Sequence, residues 1–185
     1  AAKRRGVKVI LEVNTAYASA WAKYFKVYFQ GFATRIEDYI FSRADAIITV
    51  TKELREKLRD GGVACRIEVM HNGVDLKAFN PGVSSPALKK ELGLEGASCV
   101  VGFVGTLNKW HGIDLLMDAI PAVVNKDPGV RFLVVGEGLM KEEFQGFVKT
   151  KGLDKFVRFA GRRPHREIPG LVGVMDIGLM PNSND

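Results

Sequence analysis

FVGTLNKWHGIDLLMDAI, residues 103–120, runs from an apolar strand through a glycine-bearing loop into an amphipathic helix. Strand, loop and helix in that order are the repeating step of a parallel α/β sheet. Glycine lets the backbone approach a phosphate closely, and the helix that follows offers unpaired N–H groups and the positive end of its dipole. The stretch is therefore a candidate pocket for a phosphorylated ligand.

On either side the same alternation continues. The spacing of apolar residues predicts a short helix near 86–92, a strand over 99–104, a helix over 111–126, a strand over 130–135, a helix over 138–151, a strand over 156–160, a short helix over 165–173 and a strand over 175–180. Repeated units of this length imply a parallel sheet with right-handed crossovers and helices on both faces. Ligands of such sheets bind at the carboxyl ends of the strands, and three successive strands here end in glycine: Gly105, then Gly136 with Gly138, then Gly161. Tight strand-to-helix turns explain any one of these glycines; their repetition at one sheet edge favours a ligand.

Towards the front, VKVILEV (7–13) reads as a buried strand, and a long helix is expected from Ala18 to Phe41. Its Trp21, Phe25, Tyr28, Phe32, Ile36 and Ile40 recur at steps of three or four and so fall on one stripe. ADAIITVT (44–51) is the next strand, and Thr51 can cap the helix KELREKLRDGG, with Glu53 and Glu56 at its positive end. RIEVM (66–70) is a third strand. HNGVDLKAFNPGVSSP (71–86) then concentrates turn formers, with Asn72 and Gly73 expected to make a turn in which Gly73 takes a positive φ. This is the expected boundary between two domains, 1–73 and 74–185.

The 185 residues are 46% hydrophobic, ordinary for a globular chain and against disorder. No apolar run approaches the roughly 18 residues that span a bilayer. Cys65 and Cys99 lie far apart beside apolar residues and read as buried free thiols, which implies a reducing, cytoplasmic setting. His71, His111 and His165 show no ligand spacing, so no metal is expected. Of the net charge of +6, nearly all comes from residues 1–43, with eight Lys or Arg against three acids. That balance suits a membrane surface or an anionic acceptor; nucleic acid is not expected, because no Arg and aromatic motif for RNA is present. Both ends of the chain read as cut from something longer.

Taken together, ADAIITVTKELREKL, IEVMHNGVDLKAFNP, FVGTLNKWHGIDLLMDAI, FLVVGEG, VRFAGRRPHREIPGLV and MDIGLMP resemble consecutive landmarks of the retaining glycosyltransferases of family 4, also called group 1. VILEVN and IEDYIFSR are similar to the end of that family's first domain. The resemblance implies a GT-B fold, here two incomplete Rossmann-like α/β domains, with the acceptor side in 1–73 and the donor-nucleotide side in 74–185. It implies transfer of a sugar, with retention, from a nucleoside diphosphate sugar to a glycan or lipid-linked glycan in the cleft between the domains. No cofactor is implied beyond the donor. Cytoplasmic polysaccharide synthesis, at the inner face of the membrane, is the expected setting.

By position in the resemblance, Gly105, Thr106, Lys109, His111 and Gly112 face the diphosphate, Gly136, Glu137 and Gly138 lie beside the nucleoside, and Arg162 with Arg163 sits near the base. Asn72 and Gly73 mark the hinge. Much of the family carries Arg and Lys where this chain has Thr106 and His111. A Trp-His-Gly subset of the family resembles GTLNKWHG, so His111 serves if the diphosphate protonates it, its ordinary pKa being about 6.5. Lys109 is the alternative cation. Each also has a plain reading: His111 as a helix-start residue bonded to backbone, Lys109 as a solvated lysine. Glu137 can accept hydrogen bonds from a ribose or cap the next helix.

The family's pair of glutamates eight residues apart would begin after Asp185, so no catalytic residue is assigned and the fragment is expected to be inactive alone. The front stripe, 18–41, either packs on the first-domain sheet or rests on a membrane interface; uncovered apolar surface also predicts self-association. Rival functions are a GT-B sugar-nucleotide epimerase or phosphorylase, a non-catalytic nucleotide-binding domain, and a dinucleotide oxidoreductase. The last is disfavoured because Gly102, Gly105 and Gly112 miss the dinucleotide spacing.

Overall fold

The computed structural model describes residues 5–15, 28–83 and 86–181. The chain divides into two compact units, Ala1–Val74 and Asp75–Asp185.

In the first unit, strands β1 (Ile10–Val13), β2 (Ala46–Thr49) and β3 (Arg66–Val69) form a parallel sheet in the order β1-β2-β3. Parallel neighbours need crossovers, supplied among the described residues by helices α1 (Gln30–Ser42) and α2 (Lys52–Asp60). The core is Val13, Phe41, Ala44, Ile47, Leu58 and Ile67. As expected from its position, Thr51 caps α2: its Oγ1 accepts from the Leu54 N–H at 3.1 Å. Hydrogen bonds from its own backbone N–H and from the Thr51 hydroxyl hold the Glu53 carboxyl below its ordinary pKa.

The second unit carries β4 (Cys99–Val104), β5 (Val130–Val135), β6 (Val157–Gly161) and β7 (Ile177–Leu179), all parallel, in the order β6-β5-β4-β7. Side chains alternate across the pleat. Val101, Phe103, Phe132 and Val134 pack with Ile113, Leu116, Ile120, Phe144 and Val148 of helices α4 (Ile113–Lys126) and α5 (Lys141–Thr150). On the other face Val100, Leu133 and Val135 pack with Leu94, Leu171 and Val174, beside helices α3 (Pro86–Glu91) and α6 (Ile168–Gly173). Near-continuous apolar strands are what a sheet buried on both faces requires.

One device recurs in both units. Asp45, just before β2, donates its N–H to the Val9 carbonyl and accepts the Val9 N–H on Oδ2, both at 2.8 Å. Asp176, just before β7, does the same with Val100, at 2.8 and 2.7 Å. An aspartate at strand entry thus replaces one ladder step by a closed pair of hydrogen bonds, one of them charge-assisted.

Three expectations need correction. Of the helix expected over 18–41, residues 16–27, with Trp21 and Phe25, lie outside the described residues, and the helix seen is α1. Its stripe does not pack on the sheet: Tyr28, Phe32, Ile36 and Ile40 are exposed, and the residue of α1 that enters the core is Phe41, beside Val13 and Ile47. The cysteines are free but only half-buried, since Cys65 precedes β3 and Cys99 is the first residue of β4, where strand ends meet solvent. Finally, Gly73 lacks a positive φ. The 71–75 stretch carries no turn; chain reversal comes later, where Asp75 Oδ1 accepts the Lys77 N–H at 2.9 Å.

Candidate functional site

At the carboxyl ends of β4, β5 and β6 the three loops are laced together by backbone hydrogen bonds. Gly105 N–H donates to the Val135 carbonyl at 3.0 Å, Leu107 N–H to the Glu137 carbonyl at 2.9 Å, Gly136 N–H to the Gly161 carbonyl at 2.9 Å and Met140 N–H to the Leu107 carbonyl at 2.9 Å. This lacing explains two glycines. A Cβ on Gly136, whose φ is +140°, would stand 1.8 Å from the Gly105 oxygen, and one on Gly138 would stand 2.4 Å from the Leu107 oxygen. Both glycines therefore serve loop-to-loop approach. Gly112 is likewise fixed, with φ +64° and the Pro181 oxygen 2.6 Å from where its Cβ would be.

The laced loops leave a cavity of about 420 Å³ bounded by Gly105, Thr106, Gly136, Glu137, Arg162 and Arg163, with Val104, Val135 and Ile168 as its apolar walls. Such a mix, apolar walls with a few convergent polar groups, is the composition of a small-ligand site. The Gly105 and Gly136 N–H groups are spent on carbonyls, whereas the Thr106 and Glu137 amides beside them have no acceptor among the described residues.

The two arginines differ. Arg163 is half-buried, its Nε donating to the Ala160 carbonyl at 3.0 Å and its Nη1 lying 3.6 Å from Glu167 Oε2. Arg162 is exposed and makes no side-chain hydrogen bond or ion pair among the described residues. A guanidinium free of partners beside a cavity is available to an anion or a base. Glu137 is paired with Lys141, Oε1 to Nζ at 2.7 Å.

The cavity thus gathers six of the residues picked from sequence. Four others do not line it. Lys109 is exposed on the 3₁₀ turn Lys109–His111; half-buried His111 has Nδ1 3.4 Å from Thr106 Oγ1; Gly112 is buried and Gly138 packs on Leu107. Asn72 and Gly73 belong to the other unit. Sequence reading missed Lys141 and Ile168, although Glu137 and Lys141 carry the four-residue spacing of an ion pair across one helical turn. Among the described residues no group of three or more His, Cys, Asp or Glu is placed to hold a metal ion, and no helix is long and apolar enough to cross a membrane.

Known proteins share this fold. The structure superposes on that of Anabaena HepE, crystallised in complex with UDP, with a TM-score of 0.76 and 21% identity over 98% of this chain and 48% of that one. The fold is therefore that of the GT-B glycosyltransferases, an α/β class with parallel sheets. Residues 98–184 match the family model described as "Glycosyl transferases group 1" and residues 1–78 match "Glycosyltransferase Family 4"; the chain belongs to this family of glycosyltransferases. The D-inositol 3-phosphate glycosyltransferase of Corynebacterium jeikeium is 29% identical over 80% of this chain and 38% of its own length. For the 2-deoxystreptamine glucosyltransferase of Streptomyces kanamyceticus the figures are 33%, 82% and 40%. The chain thus spans less than half the length of the relatives it matches.

Proposed function

We propose that the second unit binds the nucleoside diphosphate of a sugar donor and that the first unit belongs to the acceptor side of the same transferase, which passes the sugar on with retention. The observation that carries this reading is the cavity at the ends of β4, β5 and β6, whose polar groups are two guanidinium groups, one carboxylate and backbone amides. Charge develops on the departing diphosphate during transfer, so cations and N–H dipoles held beside it lower the barrier. Arg162 and the Thr106 and Glu137 amides are the groups in place in the cavity; His111 and Lys109, on the same loop, add charge when the diphosphate is bound. The donor needs no further cofactor in this scheme.

The acceptor reading widens with the comparisons. Beside the glycan or lipid-linked glycan suggested by the sequence stands a cyclitol, since both relatives' names specify one: D-inositol 3-phosphate and 2-deoxystreptamine. A cytoplasmic setting, with contact to the inner face of a membrane through 18–41, is part of the proposal; exposed Phe32, Ile36, Tyr39 and Ile40 support it, and self-association would use the same residues. Thermal shift of the protein with UDP, GDP, ADP and NADH tests the donor reading. A ligand at a hundred times its Kd adds about 2.7 kcal/mol of stability. One of the three diphosphates should raise Tm while NADH leaves it unchanged; a shift with NADH alone, or with none, refutes the assignment.

A further inference from the structure

Two cavities meet at the loop that carries the arginines, residues 162–167. One is the cavity at the strand ends; the other, of about 400 Å³ between α3 and α6, is bounded by Ala87, Leu88, Glu91, Arg163, Arg166 and Glu167. Arg163 lines both. The loop thus has open space on two sides, and none of its six residues is buried. A segment with so little packing opens easily unless something fixes it. From within, Glu167 N–H donates to the Pro164 carbonyl at 2.9 Å, and Arg163 is tied to Ala160 and Glu167. Arg162 takes part in none of these contacts. From outside comes the ring of Phe79, whose centroid lies 5.9 Å from that of His165 with the planes tilted by 51°, a separation at which aromatic rings attract. Phe79 stands on a firm base. Its N–H donates to the Asp75 carbonyl at 2.8 Å, Asp75 Oδ1 accepts the Lys77 N–H at 2.9 Å, and Asn80 continues the turn with Nδ2 donating to the Lys77 carbonyl and Oδ1 accepting the Gly82 N–H, both at 2.9 Å.

We propose that Phe79 and His165 are positioning residues: their ring contact fixes the β6–α6 loop so that the Arg162 guanidinium is held at the cavity for the nucleotide. This rests on the nucleoside diphosphate reading of the cavity. Neither ring lines that cavity, so the effect on a ligand is indirect: the brace reduces the freedom that Arg162 must lose on binding. By reciprocity, a nucleotide that holds the loop also steadies the turn at 75–82.

Calorimetric titration with UDP, GDP and ADP of the protein and of Phe79→Ala, His165→Ala, His165→Phe, Arg162→Ala and the double variant Phe79→Ala/Arg162→Ala tests this. Phe79→Ala and His165→Ala should each weaken the diphosphate about two- to tenfold, the range that an aromatic pair supports. His165→Phe keeps the ring pair and should bind as the unaltered protein does. Once Arg162 is alanine, Phe79→Ala should cost less than about 1.5-fold more, because the brace then has nothing to position. Unchanged affinity in both ring-to-alanine variants overturns the proposal, as does His165→Phe binding no better than His165→Ala. An equal loss with and without Arg162 marks a general loosening and overturns it too. Hydrogen exchange of the unaltered protein decides the matter should the variants not fold: the bound nucleotide should slow the Ala78 and Phe79 amides, which donate to Asp75, as well as those of 165–168, and slowing confined to the loop overturns the proposal. Failure of all three diphosphates to bind the unaltered protein overturns the donor reading first, a result distinct from any of these.

Discussion

Replacing Gly136 by alanine should do more damage than any other single methyl group added at the sheet edge. At φ +140° an L side chain is strained, which costs about 1–3 kcal/mol. The new Cβ would also sit 1.8 Å from the Gly105 oxygen, so the β4 and β5 loops must part. Parting them breaks the hydrogen bond from Gly105 N–H to Val135 or that from Leu107 N–H to Glu137, worth about 1 kcal/mol each. The sum is about 3 kcal/mol or more, a shift in Tm of about 10–20 °C for a unit of this size. Urea denaturation followed by circular dichroism measures it. Gly146 is the control: it lies within α5 with nothing within 4 Å of a Cβ, so Gly146→Ala should stabilise by about 0.5–1 kcal/mol. A Gly136→Ala protein within 1 kcal/mol of the original, by the same approximate scale, would refute the claim that backbone approach requires this glycine.

Other outcomes follow from single contacts. Asp176→Ala removes a carboxylate that accepts the Val100 N–H and should cost about 1.5–3 kcal/mol in denaturant unfolding; a loss under about 0.5 would deny the strand-entry pair its role. The Ser98 hydroxyl, and then the Gly129 N–H, hold the Asp127 carboxyl below its ordinary 3.8, so its contribution to stability is present above that pH and lost as pH falls through the lower folded value. The Tm advantage over Asp127→Asn should therefore fade as pH falls below the ordinary carboxyl range, and an advantage that grows there contradicts the hydrogen bonding. Arg162→Ala should weaken binding of the nucleoside diphosphate about tenfold with Tm unchanged, whereas Arg163→Ala should also lower Tm, because only Arg163 is tied to Ala160 and Glu167; calorimetry with parallel melting curves separates them.

Much of the molecule was legible beforehand for a local reason. The runs CVVGFV and VRFLVV read as strands, Thr51 before KELRE reads as a cap, and three glycines after strands point to the loops that bound the cavity. Less legible was which glycine did what. No local pattern shows that a Cβ on Gly136 or Gly138 would meet the Gly105 or Leu107 oxygen. Periodicity also misplaced the front helix's contact with the core, because the stripe of Phe32, Ile36 and Ile40 is exposed and Phe41, off that stripe at the helix end, is buried instead.

By itself the sequence determined the order of strands and helices along the chain, the Thr51 cap and the sheet edge that carries the cavity, since each depends on neighbours a few residues apart. Tertiary structure alone decided that Arg163 is tethered to Ala160 and Glu167 while Arg162 is unpartnered among the described residues, that the Gly105 amide is spent on Val135, and that Glu137 meets Lys141 over Gly161. These are contests for hydrogen bonds and space among three loops far apart in the chain, and only packing brings the competitors together.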